Sequence, residues 1–308
     1  MFMQSILLTG AAGFIGSYVS KSLREQGRAV VGLDSYNDYY DVDLKHDRVK
    51  NIVPKDALVV KGDILDQALL LDLADIYRFD SIVHLAAQAG VRYSLENPDT
   101  YIQTNIQGTN NTLELARQKN IPKVVYASSS SVYGGNSKVP FSESDSVDTP
   151  VSLYAASKKA NELQAHTYTH LFGIQTVGLR FFTVYGPWGR PDMAAFLFMD
   201  KMLNDEPIDV YNQGDLERDF TFIDDIVSGV VAAATAELSN DYEIFNLGNE
   251  DPVPLKRFIR VIEDALDRPA KKDFLPMQPG DVLRTSADVS KARELLGYEP
   301  RTSIVEGI

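Results

Sequence analysis

An α/β fold is predicted by three observations. Short apolar runs alternate with segments of helical periodicity through roughly the first 180 residues, a glycine cluster lies between the first run and the first helix, and the remainder mixes short helices with polar loops. Apolar strands separated by helices form a parallel sheet covered on both faces, the doubly wound arrangement of Rossmann type. Its ligands sit at the carboxyl ends of the strands. Residues 1–180 are expected to form mainly this domain, and 181–308 mainly a smaller α/β substrate-binding lobe with segments that return to the first.

Ile6-Leu7-Leu8 is the expected first strand, Gly16 to Gln26 a helix, Ala29 to Leu33 a second strand ending in Asp34, and Val59-Val60 a third. Ile82 to Leu85 is the fourth, Thr104 to Lys119 a long helix, Val124 to Tyr126 the fifth strand, and Tyr154 to Phe172 a further helix. In the second half, polar loops separate short segments at Ala194 to Leu203, Ile208 to Tyr211, Arg218 to Phe222 and Asp224 to Ala236.

The composition excludes several function classes. The 308 residues include no cysteine, which rules out disulfide and thiolate chemistry, and the four histidines (His46, His84, His166, His170) are scattered. His166 and His170 share a helix face without an intervening Glu, so no metal site is expected. A formal charge of −13 disfavours a nucleic-acid partner, though arginines or a helix N-terminus can still form a local anion pocket. The apolar start is too short to span a membrane and lacks a cleavage signal, so a cytoplasmic protein is expected.

The cluster Gly10-Ala11-Ala12-Gly13-Phe14-Ile15-Gly16 stands between a strand and a helix. There Gly10 and Gly13 permit a tight turn and close approach of a pyrophosphate. Gly16 lets helix and strand pack, and the helix N-terminus faces the phosphates, so a dinucleotide is expected against Gly10, Gly13, Phe14, Ile15 and Gly16. Asp34 can accept hydrogen bonds from the adenine ribose hydroxyls, and no arginine follows it in Ser35-Tyr36-Asn37-Asp38, which favours NAD over NADP. Asp63 and Ile64 are placed to contact adenine, and Leu85, Ala86 and Ala87 offer small side chains along the cofactor. Asn105 either fixes backbone near the nicotinamide or caps a helix.

Tyr154 and Lys158, four apart on a helix, share one face. The ammonium is expected to stabilise a phenolate and lower its pKa from near 10, so that the phenolate accepts a proton from a secondary alcohol as hydride leaves for NAD. Ser128 to Ser131 follow the fifth strand, and a hydroxyl there can hydrogen-bond the reacting oxygen. The residues alone do not select among the four.

With these motifs in place, the chain from Gly10 to Tyr298 resembles the extended short-chain dehydrogenase/reductase family, and within it the nucleotide-sugar 4-epimerases. The resemblance implies a catalytic set of Ser129, Tyr154 and Lys158, with Ser129 selected by its position three residues before Val132 in Ser-Val-Tyr-Gly. Related 4,6-dehydratases carry an Asp-Glu pair where this chain has Ser130 and Ser131, so loss of water is not expected.

The tyrosine-rich segment Ser35 to Asp41 and the segment Phe181 to Met193 resemble those of UDP-glucuronate 4-epimerases. The resemblance implies a site for the sugar carboxylate at Thr183 and Arg190, the latter binding it bidentately or else closing a Gly-Pro-rich loop. Arg218 matches a diphosphate-binding arginine, Arg284 is a second candidate, and Gln88 and Arg92 line the sugar side or rigidify their loop. A homodimer built on the helices carrying Asn105 and Tyr154 is implied too. Leu113, Leu115 and Ala116 fit either that interface or core packing. The alternatives are a UDP-glucuronate decarboxylase, a UDP-glucose 4-epimerase, and a dinucleotide-sensing protein without turnover.

Overall fold

A computed structural model describes residues 5–278 and 280–308. Strands β1 (Ser5–Thr9), β2 (Ala29–Asp34), β3 (Leu58–Lys61), β4 (Ser81–His84), β5 (Lys123–Ser129) and β6 (Gln175–Phe181) come from the first part of the chain. After them follow β7 (Thr183–Tyr185), β8 (Ile208–Tyr211), β9 (Glu217–Phe222), β10 (Tyr242–Leu247), β11 (Pro252–Pro254) and β12 (Lys272–Leu275). Seven of these form one parallel sheet in the order β10-β6-β5-β4-β1-β2-β3, so a strand from the second half completes the large sheet. The order reverses between β1 and β4, which opens a crevice at their carboxyl ends.

Helices α1 (Phe14–Glu25), α2 (Val42–Asn51), α3 (Gln67–Tyr77), the short α4 (Tyr93–Glu96) and α5 (Pro98–Tyr101), α6 (Gly108–Lys119), α7 (Leu153–Phe172), α8 (Ala194–Leu203) and α9 (Ile223–Thr235) follow in turn. Alternation along β1 sends Ile6 and Leu8 into a core shared with Val19, Leu23 and Val230, while Leu7 joins Ile82, Leu113 and Ala116 on the opposite face. Leu113, Leu115 and Ala116 are at most 2% exposed and belong to this core, so the interface alternative for them is excluded. The small lobe has its own core, where Phe220 and Phe258 stack at 4.2 Å between ring centres.

Local chemistry sets the ends of the helices that matter for the site. The Ser152 hydroxyl accepts from Ala155 N at the start of α7, and Gly173 ends that helix in the left-handed region. The expected long helix from Thr104 is interrupted: Ile102–Gln107 forms a wider π turn and regular α-helix resumes at Gly108. At Gly108 a Cβ would lie 2.3 Å from Ile64 Cδ1, so the glycine lets the helix close on that side chain. The first helix starts two residues before the expected Gly16, and Leu85 lies just beyond β4.

Behind the carboxyl end of β5 sits a buried ion pair. Arg180 Nε and Nη2 donate to the two Glu162 carboxylate oxygens at 2.8 and 2.9 Å, Ser128 Oγ donates to the same carboxylate at 2.7 Å, and Arg180 Nη1 donates to the Tyr133 hydroxyl. Both charged side chains are at most 2% exposed. Removing one partner strands the other charge in the interior, so Glu162→Ala is expected to cost about 3–5 kcal/mol, read from the urea midpoint. A loss below about 1 kcal/mol would mean the pair contributes little.

Candidate active site

The carboxyl ends of β1, β4, β5 and β6 and the facing side of the small lobe enclose a cavity of about 940 Å³, near the upper end for small-molecule sites. At one end lies the glycine turn. Gly10 has φ +74°, and a Cβ on Gly16 would stand 2.0 Å from the Gly10 carbonyl oxygen, so both positions demand glycine. Gly13 is the residue before α1, whose first turn therefore faces the cavity along with Phe14 and Ile15.

Asp34 ends β2 only 8% exposed, its carboxylate accepting from Ala12 N at 3.0 Å and Tyr36 N at 2.9 Å. This ties the glycine turn to the end of β2 and holds the carboxylate at the cavity wall. No arginine follows Asp34 in the next four residues, but Lys45 of α2 is buried beside it and lines the same wall. Burial lowers the Lys45 pKa while Asp34 raises it, and the ammonium donates to Asn37 O and Oδ1 at 2.8 and 2.5 Å. Lys45 lies eleven residues after Asp34 on a separate helix, so only folding brings the two together.

Asp63, Ile64, Leu85, Ala86 and Ala87 continue the cavity wall. Asn105 does not; placed among the cofactor contacts from sequence, it lies behind the wall at 1% exposure. Its side chain accepts from Gln88 N, donates to Gln88 O, and donates to Ser157 Oγ, so it clamps the loop after β4 to α7 and caps nothing.

Tyr154, Lys158 and Ser129 meet on the far wall. Tyr154 is partly exposed through the cavity yet densely surrounded. Burial raises its pKa, with the Ser129 hydroxyl and the Arg190 charge acting in the opposite direction. The expected lowering by Lys158 is not seen. The Lys158 ammonium donates to Ala127 O at 2.8 Å, and burial lowers its own pKa to about 8. Among the four serines the structure discriminates: Ser128 faces the buried Glu162, while Ser129 Oγ accepts from Ser131 N at 3.1 Å and lies beside Tyr154.

Of the expected substrate contacts, Gln88, Arg92, Thr183, Arg190 and Arg218 line the cavity. Arg92 crosses to the small lobe, its guanidinium 4.9 Å from the Tyr211 ring centre. Arg284 does not reach the cavity; it is exposed and paired with Glu217 at 2.7 Å on the outside of the lobe. Arg190 is inward but already engaged, since Nε and Nη2 donate to the Asp192 carboxylate at 3.0 and 2.5 Å. The Tyr39 hydroxyl donates to Asp192 as well, at 3.0 Å. Asp192 and Tyr39 were missed as site residues, because only folding brings the tyrosine-rich insert against the β7–α8 loop.

Among the described residues no cluster of three or more His, Cys, Asp or Glu is placed to hold a metal ion, and no helix is long and apolar enough to cross a membrane.

Residues 6–248 match the family described as NAD dependent epimerase/dehydratase. UDP-glucuronate 4-epimerase 1 of Arabidopsis thaliana is 49% identical over 320 residues, covering 99% of this chain and 75% of that protein. The crystal structure of UDP-glucuronic acid 4-epimerase from Bacillus cereus, in complex with UDP-glucuronic acid and NAD, superposes with a TM-score of 0.92. It is 36% identical over 99% of this chain and 96% of the other. UDP-glucose 4-epimerase from Thermotoga maritima with UDP-glucose gives a TM-score of 0.90 at 29% identity, over 99% and 96% of the two chains.

The Lys158 shift has a testable sign. Between pH 8 and pH 10 the folded chain has shed the Lys158 proton while the unfolded chain keeps it, so stability rises with pH there. Below pH 8 both states hold the proton and the full cost of burying the charge is present. The stability gained from pH 7 to pH 10 in urea titrations is therefore expected to be smaller in Lys158→Met than in the wild type. An equal gain in both would assign the effect elsewhere, Lys123 being the alternative, since burial lowers its pKa to about 8 as well.

Proposed function

The chain belongs to the NAD dependent epimerase/dehydratase family, and we propose that it interconverts UDP-glucuronate and UDP-galacturonate by inverting C4 of the sugar through a 4-keto intermediate. The observation that carries this reading is the convergence of Tyr154, Lys158 and Ser129 on a cavity that also holds Thr183 and Arg190, with serines at 130 and 131 where a dehydratase needs acids. The similarity to uronate epimerases from a plant and a bacterium supports it.

The residues fit the cofactor. Gly10 lets the turn close on the Leu85–Ala86 backbone and Gly16 lets α1 close on the Gly10 carbonyl, which sets the start of α1 toward a pyrophosphate; Asp34 presents a fixed carboxylate for ribose hydroxyls, and Asp63 and Ile64 flank the adenine position. When bound, NAD accepts a hydride from the sugar and gives it back, so the reaction has no net redox change. Leu85 to Ala87 keep the wall between the two ends low, and the Asn105 clamp fixes the backbone beside them.

Tyr154 takes the C4 hydroxyl proton and later returns it to the opposite configuration. Because burial holds its phenol up, the deprotonated form depends on the Ser129 hydroxyl and on the nearby cationic charge of Arg190. Ser129 hydrogen-bonds the reacting oxygen, and its own orientation is fixed by Ser131 N. Arg218 and Arg92 face the diphosphate from the small lobe and from the loop after β4, which admits an anionic ligand into a protein of net charge −13. With two donors of Arg190 taken by Asp192, the uronate carboxylate meets the Thr183 hydroxyl and the remaining Arg190 nitrogen.

One observation favours a second reading. Asp192 already neutralises Arg190, and a site so balanced also suits the neutral sugar of UDP-glucose. We place the enzyme in the cytoplasm as a homodimer. The dimer reading is supported by Leu163, Leu171 and Phe172 on α7 and Ile102 beside it, which are 44–61% exposed.

Purified protein incubated with UDP-glucuronate and no added cofactor is expected to form UDP-galacturonate in an NMR time course, without UDP-pentose. Carbon dioxide and a UDP-pentose would identify a decarboxylase, and turnover of UDP-glucose alone would favour the second reading. Tyr154→Phe is expected to lower kcat by about 10²- to 10⁴-fold while leaving bound NAD in place. Retention of near-wild-type kcat would remove Tyr154 from the proton path.

A further inference from the structure

Arg48, on α2, is 0% exposed, yet among the described residues it has no carboxylate within salt-bridge distance. Its donors go to neutral acceptors: Nε to Trp188 O at 2.9 Å, Nη2 to Gly189 O at 3.0 Å, and Nη1 to the Tyr40 hydroxyl at 2.6 Å. A cation buried against neutral groups is expensive unless fully hydrogen-bonded, and here it satisfies two successive carbonyls of one loop. The same loop carries a second unfavourable feature, since Trp188 has φ +61°, a conformation that bulky side chains rarely adopt. Neither feature lies in the cavity wall formed by Tyr154, Lys158 and Ser129, but the loop leads into it. Two residues beyond Trp188 stands Arg190, whose charge acts on Tyr154, and two further on is Asp192.

The loop is held from three sides. Tyr18 donates to Pro187 O at 3.0 Å, Arg48 grips residues 188 and 189, and Tyr39 donates to Asp192. Burial and the Asp192 carboxylate push the Tyr39 phenol up to about 12, so it stays protonated as a donor. Gly90, at φ +105°, packs against the same point, where a Cβ would come 2.9 Å from the Tyr39 hydroxyl.

We infer that Arg48 is a positioning residue: by fixing the loop from Gly186 to Met193 it sets the place of the Arg190–Asp192 pair above Tyr154, and so keeps the 4-keto uronate from losing its carboxylate. This rests on the proposed uronate epimerase activity. In the 4-keto intermediate the carboxylate is β to the ketone. If the C5–C6 bond aligns with the carbonyl π-system it breaks, carbon dioxide leaves, and the electron pair enters the C4 ketone as an enolate. The enolate then takes a proton at C5, and no outside oxidant or reductant is required. A carboxylate held near the ring plane is poorly aligned for this step. The group that holds it must itself be fixed, since displacement by about 1 Å can alter rates by about 100-fold.

The test compares wild type, Arg48→Met, Arg48→Lys and Tyr39→Phe with UDP-glucuronate. NMR gives the ratio of UDP-pentose to UDP-galacturonate in each tube, beside the melting temperature and the bound NAD content. The ratio is a property of each turnover, so loss of folded protein does not move it. The expected result is a rise of roughly tenfold or more in Arg48→Met, a smaller rise in Arg48→Lys, and a measurable rise in Tyr39→Phe, which loses one hydroxyl. Should Arg48→Met not fold, Tyr39→Phe decides: an unchanged ratio there overturns the inference. A wild type that epimerises while all variants keep its ratio overturns this inference alone, whereas a wild type inert toward UDP-glucuronate overturns the proposed activity with it.

Discussion

Glu162 lies at the centre of the wall that carries Tyr154, Lys158 and Ser129 without touching the cavity. Its carboxylate receives Arg180 from β6 and Ser128 from β5 while it rides on α7 itself, so one buried charge joins β6 to the two elements that present Tyr154, Lys158 and Ser129. Ser128 and Ser129 are neighbours with opposite directions along a strand, and holding the first inward presents the second to the cavity. Lys158 is tied to the same strand through Ala127 O. The network runs on from Arg180 to Tyr133, and from Tyr133 to Asn246 of β10, which makes the sheet strand contributed by the second half of the chain part of the support for the site.

The Arg190 end of the cavity depends on a different kind of fixing. There the insert after β2 and the loop after β7 meet across the cavity, and their hydrogen bonds are one buried arginine on two carbonyls and one phenol on a carboxylate. The cavity thus combines a wall tied together by a buried charge network with a ceiling built from loops. Asp192 tempers the positive charge of that ceiling, so that what Arg190 can hold depends on its position as well as on its charge.

Much of this was legible in the sequence because it is local. The glycine turn, Asp34 at the end of β2 and the four-residue spacing of Tyr154 and Lys158 each follow from the conformation of a few consecutive residues. Contacts distant in sequence were not legible. Arg284 sits close in sequence to residues that line the cavity, yet its register opposite Glu217 turns it outward. Asn105 looked like a contact or a cap, and the π turn places it behind the wall as a clamp. The pKa of Tyr154 departed from expectation for the same reason: helical spacing brings a lysine to the same face, but not its ammonium to the phenol once a strand carbonyl is nearer.

Transfer of hydride at C4 within a closed site is the central claim, and a tracer at that carbon tests it most directly. UDP-glucuronate carrying deuterium at C4, incubated with the purified protein in ordinary water, is predicted to give UDP-galacturonate that keeps the label at C4. Washing out of the deuterium into solvent during epimerisation would contradict the account, since it would place the stereochemical change in a proton exchange with water.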